Sequence, residues 1–151
     1  MRKFIVSTLF FLTVAQAGVV PSGWKAIKDP KGLCQILVPI AWTPAGENTG
    51  SAVFQDASVA IAVVSSQPGQ TYKPIADSML RMMEIPKDKI FENSATRVFY
   101  QDRTGHDASE PSALSVMAPG KGGTCSSRVV FLPSVTEEIA KKIALSIGPV
   151  D

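Results

Sequence analysis

The stretch that decides the fold is residues 23–42, which read GWKAIKDPKGLCQILVPIAW. Apolar and polar residues alternate over Trp24–Lys28, and this alternation predicts a half-buried β-strand because successive side chains of a strand point to opposite faces. Asp29-Pro30-Lys31-Gly32 is rich in turn-forming residues. A second strand is predicted over residues 34–38, and Pro39 ends its hydrogen-bonded ladder. The segment therefore predicts a strand–turn–strand unit.

The rest of the chain changes between two periodicities. Strand patterns recur at residues 52–55, 58–65, 90–92, 96–102, 113–117 and 124–131, and residues 43–50 predict a polar loop. Both faces of the 58–65 segment are apolar, which predicts a central strand covered on both sides. Helical spacing predicts a helix over residues 72–84 and a second after the capping box of Ser134 and Glu137, stopped by Gly148-Pro149. Together these predict an α+β fold built on an antiparallel sheet.

Residues 23–42 resemble the opening of PsbP-like domains, which begin with a strand, a glycine-containing turn, a second strand and a Pro-x-x-Trp ending. Here that ending is Pro39-Ile40-Ala41-Trp42, and the last predicted helix lies close to a similar Ser-Ile pair, Ser146-Ile147. The resemblance covers nearly all of residues 18–151. It implies the Mog/PsbP fold, an α/β/α sandwich of a sheet between helices, found in extrinsic photosynthetic subunits, partner-binding modules and exported proteins of unassigned role. It transfers no functional residues by position.

The first seventeen residues predict export. A basic start, Met1-Arg2-Lys3, precedes an uncharged, mostly apolar run over residues 4–14 and the small-residue segment Ala15-Gln16-Ala17. This order is typical of a signal peptide cleaved after Ala17. The apolar run is about half of the roughly 20 residues that cross a bilayer, so no stable membrane anchor is expected after cleavage. We expect residues 18–151 to form a single domain, secreted or periplasmic.

The charge balance argues against nucleic acid as a partner. The chain has 15 Lys and Arg residues and 13 Asp and Glu residues, and removal of Arg2 and Lys3 with the leader leaves 13 of each. A neutral processed chain lacks the excess of basic residues that nucleic-acid and anionic-lipid binding proteins show. Nucleic acid is therefore not expected as a partner.

Two cysteines, Cys34 and Cys125, lie in the processed chain. In an oxidising compartment an even pair predicts a disulfide, which would close a loop of about 90 residues and contribute up to ~4–5 kcal/mol on the chain-entropy model. Two separately buried thiols and a reactive thiol are the alternatives.

Two groups of side chains could bind metals. His106, the single histidine, lies with Asp102 and Asp107 in a segment rich in carboxylates, which could hold a divalent metal or support a metal-dependent hydrolase. The spacing matches no established site, and a solvated loop is the alternative reading. Met79, Met82 and Met83 are predicted to share one helical face, and their thioethers could bind Cu(I); ordinary core packing is the alternative.

The sequence as a whole predicts an exported, non-enzymatic domain that needs no cofactor and binds an envelope protein or a small ligand. The segments 43–50 and 103–110 are the expected binding loops, because loops on a rigid sheet carry function most often. The alternative is a metal-binding protein or a metal-dependent hydrolase centred on the His106 segment.

Overall fold

The computed structural model describes residues 19–48, 50–56, 60–135 and 137–151, with the backbone alone at Asn48, so the predicted leader lies outside the described residues. The described part forms strands β1 (Trp24–Lys28), β2 (Cys34–Pro39), β3 (Thr43–Asn48), β4 (Ser51–Asp56), β5 (Ala60–Pro68), β6 (Ile90–Asn93), β7 (Val98–Arg103), β8 (Ser112–Gly120), β9 (Gly123–Phe131) and β10 (Gly148–Pro149), helices α1 (Tyr72–Met82) and α2 (Glu137–Leu145), and a short 3₁₀ turn (Lys87–Lys89).

The strands form two antiparallel sheets. The large sheet has the order β3-β4-β5-β9-β8-β7-β6, and the small sheet has the order β1-β2-β10. The predicted strand–turn–strand unit is confirmed as β1 and β2, paired from Trp24 opposite Pro39 to Lys28 opposite Gln35. Gly148-Pro149 was expected only to stop the second helix, but it also pairs with β2 as β10. The α+β class with antiparallel pairing is therefore confirmed.

Helices lie on opposite faces of the large sheet, and alternation along β8 shows the two faces. Leu114 and Val116 belong to the main core, which also contains Ile143 of α2 and residues of the small sheet. Met117 points the other way and packs with Leu80 and other residues of α1. One face is thus covered by α2 and the small sheet together, and the other by α1.

Helix α1 covers only part of its face. The sheet residues packed beneath it come from β6, β7 and β8. On β5, Ile61 is 37% exposed, although Ala60, Ala62 and Val64 are buried on the opposite face. The prediction that this strand is covered on both sides is therefore wrong: β5 is central in the sheet, but among the described residues no helix lies over its second face.

The predicted loop at residues 43–50 is also wrong. Thr43–Asn48 form β3, the edge strand paired with β4, with a register shift between Pro44 and Gly46. An edge strand tolerates proline because one side of its backbone has no ladder to complete. The polar composition of this segment thus reflects an exposed edge rather than a loop.

The disulfide prediction is confirmed. The sulfur atoms of Cys34 and Cys125 are 2.02 Å apart, and the bond joins β2 of the small sheet to β9 of the large sheet across 91 residues of sequence. Among the described residues no helix is long and apolar enough to span a membrane.

Asp29 joins the same two sheets beside the disulfide. It is only 3% exposed, and its carboxylate accepts hydrogen bonds from the backbone N–H groups of Lys31, Leu33 and Cys34 at 3.2, 2.8 and 2.8 Å. A fourth comes from the hydroxyl of Ser66 on β5, at 2.5 Å. Burial alone would raise the pKa of Asp29, but these hydrogen bonds together lower it below its ordinary value.

Candidate functional site

The strongest candidate site is a cleft of about 260 Å³ between the side of α1 and the large sheet. We call it the α1 cleft. Its side chains of interest are three thioethers and five polar groups, namely Met79, Met83, Met117, Gln67, Asp102, Ser115, Ser126 and Arg128. They come from α1 and from β5, β7, β8 and β9. The cleft lies where the cover provided by α1 ends and the bare part of the sheet begins.

Thioethers form the apolar part of the cleft. Met79 lies near the end of α1, Met83 is its C-cap, and Met117 is buried on β8 beneath the helix. The hydroxyl of Tyr100 donates a hydrogen bond to Sδ of Met83 over 3.9 Å. Burial, and after it the negative charge of Asp102, raise the pKa of Tyr100, so this hydroxyl keeps its proton at neutral pH and remains a donor.

An ion pair forms the polar part of the cleft. The side chain of Asp102 is only 2% exposed, and its Oδ2 lies 2.7 Å from Nε of Arg128, whose side chain is 46% exposed. Ser115 donates a longer bond to Oδ1 of Asp102, at 3.4 Å. Ser115 on β8 lies opposite Tyr100 of β7 on one side and opposite Arg128 of β9 on the other. Asp102 follows Tyr100 by two residues, at the register shift between Gln101 and Arg103. A buried carboxylate is thereby neutralised, as burial of a charge requires.

Gln67 contributes a buried oxygen that lacks a hydrogen-bond donor. Among the described residues, its Oε1 is the buried side-chain nitrogen or oxygen that has no hydrogen-bond partner. No hydroxyl of the described residues bonds to this atom, and the nearby Ser65 and Ser126 bond to each other at 2.6 Å. A buried acceptor left without a donor costs about 1–3 kcal/mol.

A cavity of about 340 Å³ lies elsewhere, on the outer face of the small sheet. Its walls include Val19 and Val20 near one end of the described chain and Val150 and Asp151 at the other. Within the described ranges this cavity has no ion pair, and no buried side-chain polar atom there lacks a partner. We therefore prefer the smaller α1 cleft on chemical grounds.

The residues predicted around His106 are not brought together. His106 is exposed, and its backbone N–H donates to Glu110 at 3.0 Å. Asp107 accepts bonds from the backbone and hydroxyl of Ser109, and these lower the pKa of Asp107. Asp102 faces Arg128 instead. Among the described residues no group of three or more His, Cys, Asp and Glu side chains could hold a metal ion.

Of the three predicted methionines, Met79 and Met83 line the cleft and Met82 does not. The buried stripe of the helix is Tyr72, Ala76 and Leu80. At about 100° per residue, Met79 lies about 60° from Ala76 at the edge of this stripe, whereas Met82 lies about 120° away. Accordingly Met82 is 72% exposed, while Met79 and Met83 reach the cleft.

Sequence reasoning missed five of these cleft residues, Gln67, Ser115, Met117, Ser126 and Arg128. Only Arg128 gave a usable signal, because it is the one charged residue of β9, GTCSSRVVF, and a charge in a mostly buried strand requires a partner. Met117 gave none, since most of β8 is buried on both faces.

Comparison of the chain with protein-family models and with curated proteins gave no significant match.

Proposed function

We propose that the protein is an exported, non-enzymatic binding domain of PsbP-like architecture that holds a small organic ligand in the α1 cleft. The observation that carries the proposal is the composition of the cleft. Ligand sites combine a mainly apolar lining with a few fixed polar groups, and here three thioethers face an ion pair and an amide. Methionine is suited to such a surface, because its unbranched side chain adapts to the shape of the ligand.

The PsbP-like assignment rests on four features of the described fold. Helices lie on both faces of an antiparallel sheet, Pro39 ends β2, and Trp42 is buried in the main core. Ser146 of the Ser-Ile pair accepts a hydrogen bond from the backbone N–H of Leu37 at 2.7 Å and donates one to the carbonyl of Ile143 at 2.6 Å. This serine thus fixes the end of α2 against β2, a structural role that suits the resemblance. Export is supported by the disulfide and by the leader pattern.

The size of the cleft favours a small ligand over a protein partner. Its volume of about 260 Å³ is close to the lower end of the range for small-molecule sites, about 300–1,000 Å³. A ligand of this size would lie mostly within the cleft and contact both its thioether side and its ion-pair side.

Adjacent methionines provide a matched test. We would screen a library of small organic compounds against the processed, oxidised protein by NMR, and then measure each hit on the Met83→Trp and Met82→Trp variants. The indole at position 83 should fill the cleft and weaken binding at least tenfold. The same substitution at position 82, on the exposed side of the helix, should leave affinity unchanged. Equal effects of the two substitutions, or hits that perturb no residue of the cleft, would reject the cleft as the binding site.

A soft-metal carrier is the second candidate, and one observation favours it. The thioethers of Met79, Met83 and Met117 line the cleft, and thioethers prefer Cu(I). Met117 was not among the predicted methionines, and Met82 does not line the cleft. Competition with a chromophoric Cu(I) chelator should then show affinity lost in Met79→Leu and kept in Met82→Leu. If neither variant differs from wild type, the thioethers hold no copper.

A further inference from the structure

The charged groups that line the α1 cleft in the described part of the chain are paired with each other. They are Asp102 and Arg128, and they neutralise each other over 2.7 Å. Tyr100 keeps its proton and donates to Met83. A ligand with a net charge would have to give up hydration without gaining a free counter-charge in the cleft, and such burial is unfavourable.

Most hydrogen-bonding groups of the cleft are already occupied. Ser126 is bonded to Ser65, and Ser115 donates to Asp102. Among the buried side-chain nitrogen and oxygen atoms of the described residues, the exception is Oε1 of Gln67. Because this atom is an acceptor, only a molecule with an N–H or O–H donor can satisfy it.

Building on the ligand-binding function proposed above, we infer that the ligand is a neutral, largely apolar molecule that donates one hydrogen bond, from an alcohol O–H or an amide N–H, to Oε1 of Gln67. Because this atom is buried while Gln67 lines the cleft, the amide turns toward the ligand when the ligand binds. The apolar part of the ligand lies against Met79, Met83 and Met117. Gln67 is then the residue that selects among molecules of similar shape, because a buried acceptor rejects an analogue that lacks the donor.

Three probes of similar size test separately whether the ligand needs a hydrogen-bond donor and whether it must be neutral. They are benzyl alcohol, benzyl methyl ether and benzoate. Their affinities for the processed, oxidised protein would be measured by NMR titration of the cleft amides. The alcohol should bind about three- to tenfold more tightly than the ether, the factor expected for one neutral hydrogen bond. Benzoate should bind more weakly than the alcohol, because it is charged and carries no donor.

Gln67→Leu removes the acceptor at similar side-chain size. In this variant the alcohol and the ether should bind equally, because the alcohol loses affinity and the ether does not. If the leucine variant does not fold, Gln67→Met provides the same test and should give the same result. The unliganded Gln67→Leu protein should also melt at a higher temperature than wild type, because a buried acceptor without a donor has been removed.

The outcomes separate this inference from the proposed function. If the ether or benzoate binds wild type as tightly as the alcohol does, the donor requirement is wrong while the cleft remains a ligand site; a tightly held water on Gln67 would give this result. If none of the probes shifts the cleft amides at millimolar concentration, binding of small organic molecules in the cleft fails, and the inference fails with it.

Discussion

Replacing Asp29 with asparagine is the sharpest test of how the two sheets are held together. The carboxylate accepts four hydrogen bonds, three of them from backbone N–H groups. An amide can place its oxygen toward only part of this set, and its NH₂ group then faces at least one N–H donor. Hydrogen bonds to a charged group contribute about 1.5–3 kcal/mol each. Losing one of them and weakening the others should lower the free energy of unfolding by about 2–4 kcal/mol.

The assay is urea unfolding of the oxidised protein, followed by tryptophan fluorescence. Trp42 is buried in the main core and should report the transition. Asp88→Asn is the matched control, because Asp88 is exposed in the short 3₁₀ turn and should change the free energy of unfolding by less than about 0.5 kcal/mol.

The pH dependence follows from the lowered pKa of Asp29. Because this pKa is lower in the folded protein than in the unfolded chain, the carboxylate stabilises the fold fully above the unfolded value, about 3.9, and this contribution is lost as the pH falls through the native value. The stability difference between wild type and Asp29→Asn should thus be constant from pH 7 to about pH 5 and shrink below about pH 4. A difference under about 0.5 kcal/mol at pH 7, or one that persists undiminished at pH 2, would refute the role given to this carboxylate.

Two further predictions concern the same region. Replacing Cys34 and Cys125 together with alanine should lower the free energy of unfolding by about 2–5 kcal/mol in urea titrations, because the unfolded chain loses its cross-link; a variant as stable as oxidised wild type would contradict this. Gly123→Ala would place a Cβ against the backbone of Gln67 and should cost about 1–3 kcal/mol. Gly148→Ala meets nothing within 4 Å and is the control in the same titration; equal losses would disprove the steric argument.

The fold class was predictable because its signals are local. Alternation in β1 and β2, and the turn residues between them, require only neighbours in sequence, so the first hairpin was placed correctly. The edge strand β3 and the two-residue strand β10 were missed for the opposite reason. Pro44 and Gly46 are poor strand formers, and Gly148-Pro149 has no strand pattern at all; both segments become strands through pairing with β4 and β2.

The site was less predictable because its parts are distant in sequence. Asp102 and Arg128 are 26 residues apart and meet only through the pairing of β7, β8 and β9. The sequence reading instead grouped Asp102 with His106, its close neighbour along the chain. On α1, the large methionine side chains dominate the sequence pattern, whereas the buried stripe that determines the orientation of the helix contains the small residue Ala76.

The numbers of strands and helices explain why a cleft exists, although they do not indicate which residues line it. Strands lie about 4.8 Å apart, so seven strands span about 29 Å, whereas a helix with its side chains is only about 10–12 Å wide. On one face, α2 and the small sheet share the task of covering the large sheet. On the other face α1 covers β6, β7 and β8. A groove remains along the side of the helix, over the next strands of the sheet, β9 and β5. The serines at this border, Ser65 and Ser126, suit strands that no helix covers, and the groove that results is the α1 cleft.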